Sequence, residues 1–472
     1  MDLAFSKPLA ARGTPIPGVV LFDLPVHGDN RGWFKENWQR AKMTVAGLED
    51  FGPVQNNISF NETAGTTRGI HAEPWDKFIS VATGRVFGAW VDLREGPSFG
   101  KVFTAELDPS TAIFIPRGVG NAFQTLEDGT AYTYLVNDHW SADAQDQYVF
   151  LNLADETAAI SWPIPLADAE LSDKDRRHPR LADVTPLAPR KTLVVGADGQ
   201  LGRALRHALA DHPSVDFASR TDLDLLDGDL DGARPWSAYA TIINAAAYTA
   251  VDAAETPEGR ASAWAVNVAG VAALARVAAA HRLTLVHISS DYVFDGSRAE
   301  HPEDEPFTPL GVYGQTKAAG DAIVATVPRH YILRTSWVIG EGNNFVRTMA
   351  NLAGRGISPS VVDDQVGRLT FTEDIAGAVL HLLGTGAPYG TYNVSNGGEP
   401  QSWADIAADV YALCGRDRAD VTGVSTAEYF AGKEAAPRPL RSVLDLAKIE
   451  ATGFVPVPAA ERLAAYVAAL PA

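Results

Sequence analysis

The stretch Leu193–Leu205, LVVGADGQLGRAL, decides the fold of the longer part of this 472-residue chain. A short apolar run ends at Gly196, and Gly199 and Gly202 follow in a G-x-x-G-x-x-G spacing before a run of helix formers. Strand, glycine turn and helix are predicted in immediate succession. Glycines there permit a tight turn and a close approach of backbone to pyrophosphate, while the helix N-terminus offers the positive end of its dipole. A glycine turn alone is often only a turn. The strand-turn-helix context is what points to a dinucleotide.

Working outward, the same texture continues. Thr192–Val195, Thr241–Asn244 and Thr284–Ser289 read as apolar strands, separated by helical stretches such as Leu201–Ala210 and the alanine-rich Ala261–His281. Alternating strand and helix is the pattern of a doubly wound α/β parallel sheet of the Rossmann type. Ser289, Ser290 and Asp291 close one strand, and Tyr313-Gly-Gln-Thr-Lys317 follows. A Tyr and a Lys four apart share one helix face. The ammonium is expected to lower the phenol pKa, so that Tyr313 exchanges a proton with a carbonyl oxygen that a serine hydroxyl also holds. A Y-x-x-x-K pair by itself is commonly a solvated face. Its order after a dinucleotide motif and a Ser-rich strand end makes it specific.

Residues 1 to about 160 read differently. Gly18–Leu24, Phe78–Val81, Val86–Leu93, Lys101–Leu107, Ala112–Ile115 and Ala131–Val136 are short β-rich runs between turn residues, with one helical stretch at Gln39–Leu48. Many short strands without helical period predict an all-β sandwich or barrel. Arg180–Arg190, with two prolines and no period, reads as a linker between domains at 1–185 and 190–472.

Composition bounds the function. Apolar residues make up 46% and charged residues 21%, as in a globular protein, and the net charge is -19. Such an acidic balance argues against nucleic acid or an anionic membrane as partner. One cysteine, Cys414, forbids an intramolecular disulfide. No run approaches the roughly 20 uncharged apolar residues of a membrane helix, and the N-terminus lacks a signal-peptide core. A cytoplasmic protein is expected.

The C-terminal part resembles the extended short-chain dehydrogenase/reductase superfamily, and within it the dTDP-4-dehydrorhamnose reductases. The resemblance rests on INAAAYTAVDAAE (Ile243–Glu255), HISSDYVFDG (His287–Gly296), VYGQTKAAGD (Val312–Asp321), LRTSWVIG (Leu333–Gly340), VVDDQVGRLT (Val361–Thr370) and RPLRSVLD (Arg438–Asp445). It implies a Rossmann domain with a smaller substrate-binding subdomain. Tyr313 would donate a proton to the C4 keto oxygen, Lys317 would be its electrostatic partner and Ser290 the hydroxyl, where the family usually has threonine. Gly199, Gln200 and Leu201 would lie in the cofactor loop with Gly196 and Gly202. Ala246, Ala247 and Tyr248 would lie beside the nicotinamide ribose, Asp224 and Leu225 near the adenine, and Trp337 in the substrate pocket. Arg220, at or just beyond the end of the second strand, favours NADPH over NADH; a surface residue is the alternative reading.

The N-terminal part resembles dTDP-4-dehydrorhamnose 3,5-epimerase, a cupin-like jelly roll that uses no metal. The residues that carry this are Arg31–Glu36 (RGWFKE), Gln55–Ser59 (QNNIS), Thr67–His71 (TRGIH), Lys77, Tyr132–Tyr134, ISWP (Ile160–Pro163) and LSDKD (Leu171–Asp175). By the match, His71 is the general base, Asp175 its orienting carboxylate, Tyr134 the general acid, and Lys77 the cation that stabilises an enolate. Arg31, Glu36, Gln55, Asn57, Arg68 and Lys174 would bind a dTDP-sugar. The chemistry suits these types: C3 and C5 of a 4-keto sugar are both α to the carbonyl, and a neutral imidazole is a matched base for their protons. His27, His71 and His139 do not have metal-ligand spacing. Three positions depart from the family: Asn121 stands for a histidine, His139-Trp140 for a tyrosine pair, and Ala72 for an aromatic. His139 or Trp140 is the expected substitute for base stacking. A homodimer through the cupin domain is also expected.

Together the halves imply a bifunctional enzyme for dTDP-L-rhamnose: epimerisation at C3 and C5, then reduction at C4. Two alternatives stay open. The cupin half could be a degenerate binding module beside an active reductase, or both activities could act on another nucleotide-deoxysugar.

Overall fold

The computed structural model describes residues 7–48, 50–139, 147–212 and 214–470. The chain forms two compact units, Met1–Pro189 and Arg190–Ala472.

The first unit is built from strands β1 (Ala10–Gly13), β2 (Val20–Asp23), β3 (Val26–Asp29), β4 (Gly32–Lys35), β5 (Gln55–Asn61), β6 (Thr67–Ala72), β7 (Lys77–Thr83), β8 (Val86–Asp92), β9 (Val102–Leu107), β10 (Thr111–Ile115), β11 (Val119–Thr125), β12 (Thr130–Val136) and β13 (Val149–Phe150). The short helices α1 (Arg40–Val45) and α2 (Asp173–Arg176) interrupt and follow them. One sheet runs β1-β2-β10-β7-β12-β5 and the other β13-β6-β11-β8-β9, all pairs antiparallel, with β3–β4 a separate hairpin. Alternation puts one side of each strand inward. Ile79, Ile113 and Tyr132 from the first sheet share a core with Val86, Trp90 and Phe123 from the second. Phe123 stacks on Tyr132 with centroids 4.0 Å apart, a direct rivet between the sheets. The result is the expected all-β jelly-roll sandwich.

The segment expected to be a linker is mostly docked. Leu181 is buried in the core of the first unit, and Leu187 pairs by backbone with both Leu93 and Glu95. Two prolines and a lack of period hid one apolar side chain that is buried, Leu181, and a backbone that pairs.

In the second unit β14 (Lys191–Val195), β15 (Val215–Ala218), β16 (Tyr239–Asn244), β17 (Thr284–Ser290), β18 (His330–Thr335) and the strand Gly390–Val394 form a parallel sheet. Its order is β15-β14-β16-β17-β18 and then Gly390–Val394. Successive side chains of β14 face opposite layers. Leu193 and Val195 pack in one core with α5 (Val271–Ala280), which follows α4 (Pro257–Trp264), while Val194 packs in the other with α3 (Gln200–Ala208) and the helix Thr372–Thr385. The chain turns to opposite sides of β14 to form β15 and β16, which opens a crevice at the carboxyl ends of these strands. A smaller core of Ile339, Val346, Met349, Phe371, Ile406 and Val410 makes the subdomain.

One sequence expectation is corrected by the second unit. The continuous helical stretch Pro257–Ala280 reaches a mean hydropathy of 1.5 and is, by length and composition, apolar enough to cross a membrane. Half of that window is buried, and Val271, Leu274 and Val277 pack on the sheet. Its apolarity serves a two-sided layer.

Candidate active sites

In the first unit a cavity of about 790 Å³ opens between the sheets, lined by Arg68, His71, Glu73, Lys77, Asn121, Tyr134, Lys174 and Asp175 among others. His71 lies on β6 and Asp175 on α2, joined by a hydrogen bond of 2.9 Å between His71 Nε2 and Asp175 Oδ1. Ser172 caps that helix by accepting from the Asp175 N–H. Burial pushes the Asp175 carboxyl upward, but the hydrogen bonds from His71 and Ser172 and the His71 charge hold it below the ordinary value. It is an anion aimed at His71 Nε2, and it fixes the orientation of the imidazole in the cavity.

Lys77 and Tyr134 come from the adjacent strands β7 and β12. The Lys77 ammonium is buried, pairs with Glu73 and sits 5.4 Å from the Tyr134 ring centroid. Burial, then the nearby Glu73 charge, raises the Tyr134 pKa against a smaller opposing effect of Arg68. A phenol so placed keeps its proton at neutral pH. Glu73 carried no sequence signal of its own; only the i,i+4 geometry at the end of a loop makes it the counter-ion of Lys77. Asn121 serves the framework of the sandwich, since its Oδ1 accepts from Trp90 Nε1 and from Tyr132 Oη, both at 3.0 Å.

The remaining expected contacts divide. Arg68 and Lys174 line the cavity. Gln55 and Asn57 are hydrogen-bonded to each other on β5, in register with Val136 and Tyr134 of β12, but do not line it. Arg31 pairs with Asp29 and Glu36 pairs with Lys42, both away from the cavity, because β3–β4 is a hairpin that pairs with neither sheet. His139 is exposed and outside the lining, and Trp140 lies outside the described residues.

In the second unit two cavities share Gly199, Ala245, Ala246 and Ala247. The first, about 350 Å³, is lined by Gly196, Arg220, Asp224, Leu225 and Tyr248. The second, about 530 Å³, is lined by Gln200, Leu201, Ser290, Tyr313, Lys317, Trp337 and Trp403. Gly196 has φ +78°, and a Cβ there would stand 2.6 Å from the Ala246 nitrogen. Gly202 allows α3 to approach the strand end, since a Cβ would meet the Gly196 oxygen at 2.3 Å. These close approaches leave the shared passage open to an extended dinucleotide.

The charged groups on and after β15 are paired. Asp216 is occupied, accepting from Tyr239 Oη at 2.6 Å and from Lys191 at 3.2 Å. Arg220 is exposed, 3.7 Å from Asp224, and lines the cavity. Asn267, which no sequence motif singles out, fixes the Tyr248 backbone by donating to its carbonyl at 3.1 Å and accepting from its N–H at 2.8 Å. A single Asn in an alanine-rich helix gives no pattern; the π-helical turn Ala265–Gly270 is what buries it.

Tyr313 and Lys317 lie on α6 (Val312–Val324), facing Ser290 at the end of β17. Burial raises the Tyr313 pKa to about 12, with a hydrogen bond to Ser290 opposing. The expectation that Lys317 lowers it is not met: the Lys317 ammonium donates to the Ile288 carbonyl at 2.7 Å and lies 3.4 Å from His287 Nε2, and its own pKa falls to about 8 through burial. Desolvation outweighs attraction here, with Lys317 buried and Tyr313 half-buried at the cavity wall. Trp337, at φ +45°, stacks on Trp403 with centroids 3.8 Å apart and floors the same cavity.

These two sites define a fusion of an all-β acid–base unit with a dinucleotide-dependent reductase unit. The dTDP-4-dehydrorhamnose 3,5-epimerase family matches residues 13–183, and the RmlD substrate binding domain family matches residues 190–471. The chain belongs to both families, one in each part. A protein RmlC homolog of Streptococcus pyogenes is 53% identical over 192 residues, covering 39% of this chain and 96% of that one. The dTDP-4-dehydrorhamnose reductase of Aggregatibacter actinomycetemcomitans is 39% identical over 281 residues, covering 55% and 92%. The crystal structure of a Bacillus anthracis dTDP-4-dehydrorhamnose reductase in complex with NADP is 32% identical with a TM-score of 0.53, covering 59% and 98%.

The buried lysine makes a stability prediction for the cofactor-free protein. Lys317 deprotonates near 8 when folded and at its ordinary 10.5 when unfolded. Between those values the unfolded chain binds more protons, so stability rises with pH, by roughly 3 kcal/mol across the window. Lys317→Met should remove that rise, read from urea midpoints at pH 8 and pH 10; an unchanged slope would show that the ammonium is not desolvated.

Proposed function

We propose that the chain catalyses two consecutive steps toward dTDP-L-rhamnose: 3,5-epimerisation of dTDP-4-dehydro-6-deoxy-D-glucose, then NADPH-dependent reduction of the C4 ketone. The observation that carries the first step is the His71–Asp175 dyad sharing one cavity with Lys77 and Tyr134. His71 Nδ1 takes the proton from C5 and from C3, and its charge is shared with the Asp175 carboxylate. Lys77 stabilises the negative charge that develops on O4. Tyr134, protonated because it is buried, returns a proton to the opposite face, which inverts the carbon. All four groups are intact, and that favours an active epimerase over a degenerate module.

For the second step, NADPH when bound supplies the hydride. Gly196, Gly199 and Gly202 let the main chain approach the pyrophosphate, Ala246, Ala247 and Tyr248 line the strand end, and Arg220, exposed on the cavity wall beside Asp224, turns to meet a 2'-phosphate, while Asp216 is held by Tyr239 and Lys191. Ser290 orients the ketone oxygen and Tyr313 protonates it. Lys317, held on the Ile288 carbonyl, keeps α6 aligned under Tyr313. Trp337, stacked on Trp403, fixes the wall against which the sugar lies. A chain that draws on nucleotide sugar and NADPH is expected to work in the cytoplasm.

The two sites should separate by mutation. In D2O without NADPH, His71→Ala should abolish deuterium entry at both C3 and C5, since one base serves both. Tyr313→Phe should leave that exchange near wild type but cut NADPH oxidation on pre-epimerised substrate by about a hundredfold or more, the usual scale for a lost general acid. Exchange that persists in His71→Ala, or normal turnover in Tyr313→Phe, would remove the assigned residue.

Cofactor choice has its own test. Arg220→Asp should raise the KM for NADPH and spare NADH; an unchanged ratio of the two would mean that Arg220 only faces solvent.

The reading includes a homodimer through the first unit. Phe34 is 66% exposed on β4, and Ile58 and Phe60 are 69% and 60% exposed on the edge strand β5. Pairing two copies would cover these side chains and give Arg31 and Glu36, remote from their own cavity, a nucleotide to bind in the partner's. Light scattering should give twice the chain mass, and Phe34→Glu with Phe60→Glu should halve it; a wild-type monomer would refute the dimer.

A further inference from the structure

Asp175 faces two imidazoles. Its Oδ1 stands 2.9 Å from His71 Nε2 and 3.8 Å from His178 Nε2, and the three ligand atoms all lie within 4.8 Å of one another. His178 is only 8% exposed, and its Nε2 has no hydrogen-bond partner. Its ring is held in place: it stacks on Phe150 at 4.7 Å and stands edge-on to His71 at 5.3 Å. A buried polar nitrogen left without a bond costs free energy, so its presence asks for a reason. The epimerisation supplies none, because His178 does not line the substrate cavity.

Two imidazole nitrogens and a carboxylate oxygen that converge from a strand, a short helix and the loop just after it are the donor set of a three-ligand zinc site with one open position. We propose that His71, Asp175 and His178 bind a divalent transition-metal ion, Zn2+ foremost, and that the ion switches off the epimerase unit.

The switch follows from the tautomer of His71. In the metal-free dyad the proton sits on Nε2, toward Asp175, and Nδ1 keeps the lone pair that serves as base. A metal on Nε2 takes that nitrogen's lone pair. The neutral ring must then carry its proton on Nδ1, so the atom that faces substrate becomes a donor. No proton is gained or lost overall; it moves from Nε2 to Nδ1 through solvent. Asp175 is at the same time turned from proton acceptor to ligand. Mg2+ and Ca2+ prefer sets of oxygen ligands and are not expected to bind here.

The inhibition rests on His71 being the base, while the site itself rests on the three ligands alone. The test is therefore made in two arms on the metal-free full-length chain. First, Co2+ is titrated in and followed by its visible absorption, then displaced with Zn2+. One ion per chain is expected. His178→Phe, which keeps the stack on Phe150, and His178→Gln should each weaken Zn2+ binding by roughly tenfold or more. Absence of a bound ion in the wild type, or equal affinity in both variants, overturns the site. Second, deuterium exchange at C3 and C5 is measured with Zn2+, with Mg2+, and after a chelator. Zn2+ alone should suppress exchange, reversibly. Stoichiometric Zn2+ with exchange undiminished overturns the switch. A metal-free chain that never exchanges would count against the epimerase reading, and the Co2+ arm would still decide the site.

Discussion

Each site in this chain is organised around a lysine that must remain out of water. An ammonium loses several kcal/mol of hydration on burial and persists only if its surroundings give something back. The two units solve this differently. Lys77 is buried beside the Glu73 carboxylate, a full counter-charge from its own loop. Lys317 has a backbone carbonyl, Ile288, and a neutral imidazole, His287, and it yields part of its proton affinity instead. Asp321, whose charge acts on Lys317, is bound to Arg334 at 3.0 Å. Much of the polar architecture around both sites exists to make those burials tolerable, and the raised pKa values of Tyr134 and Tyr313 come from the same desolvation.

The two folds place such groups by different means. In the sandwich, the site lies on strand faces, so neighbours in space come from register. Asn57 and Ile79 flank Tyr134, and Trp90 and His71 flank Asn121. One residue of slip would turn each side chain to the other face. In the parallel sheet, the site lies beyond the strand ends, where chain order reverses at β14. Neighbours there come from loops that need special backbone freedom, as at Gly196. The sandwich site is consequently closed by a remote segment, α2, anchored through Ser172, whereas the reductase site is assembled from consecutive strand ends.

What was legible in the sequence follows from this contrast. The glycine motif, the Tyr313–Lys317 pair and the strand end at Ser290 are local and periodic, and they predict both element type and mutual placement. His71, Lys77, Tyr134 and Asp175 were identified through a resemblance, since no spacing connects positions 71 and 175. Glu73, His178, Asn267 and Trp403 escaped because each matters only through a partner distant in sequence or through burial. Arg31 and Glu36 were expected to bind the nucleotide sugar, and the β3–β4 hairpin, which joins neither sheet, holds them outside the lining of the cavity.

The sequence by itself determined the two fold classes, through short β-rich runs between turn residues up to about residue 160 and strand–helix alternation after Arg190, and it determined the chemical groups available to each site. Only the tertiary structure decided their protonation. The raised pKa of Tyr313, the lowered pKa of Lys317 and the pairing of His71 with Asp175 depend on desolvation and on hydrogen-bond partners tens to a hundred positions away. Those energies depend on distance in space, which a linear pattern does not contain.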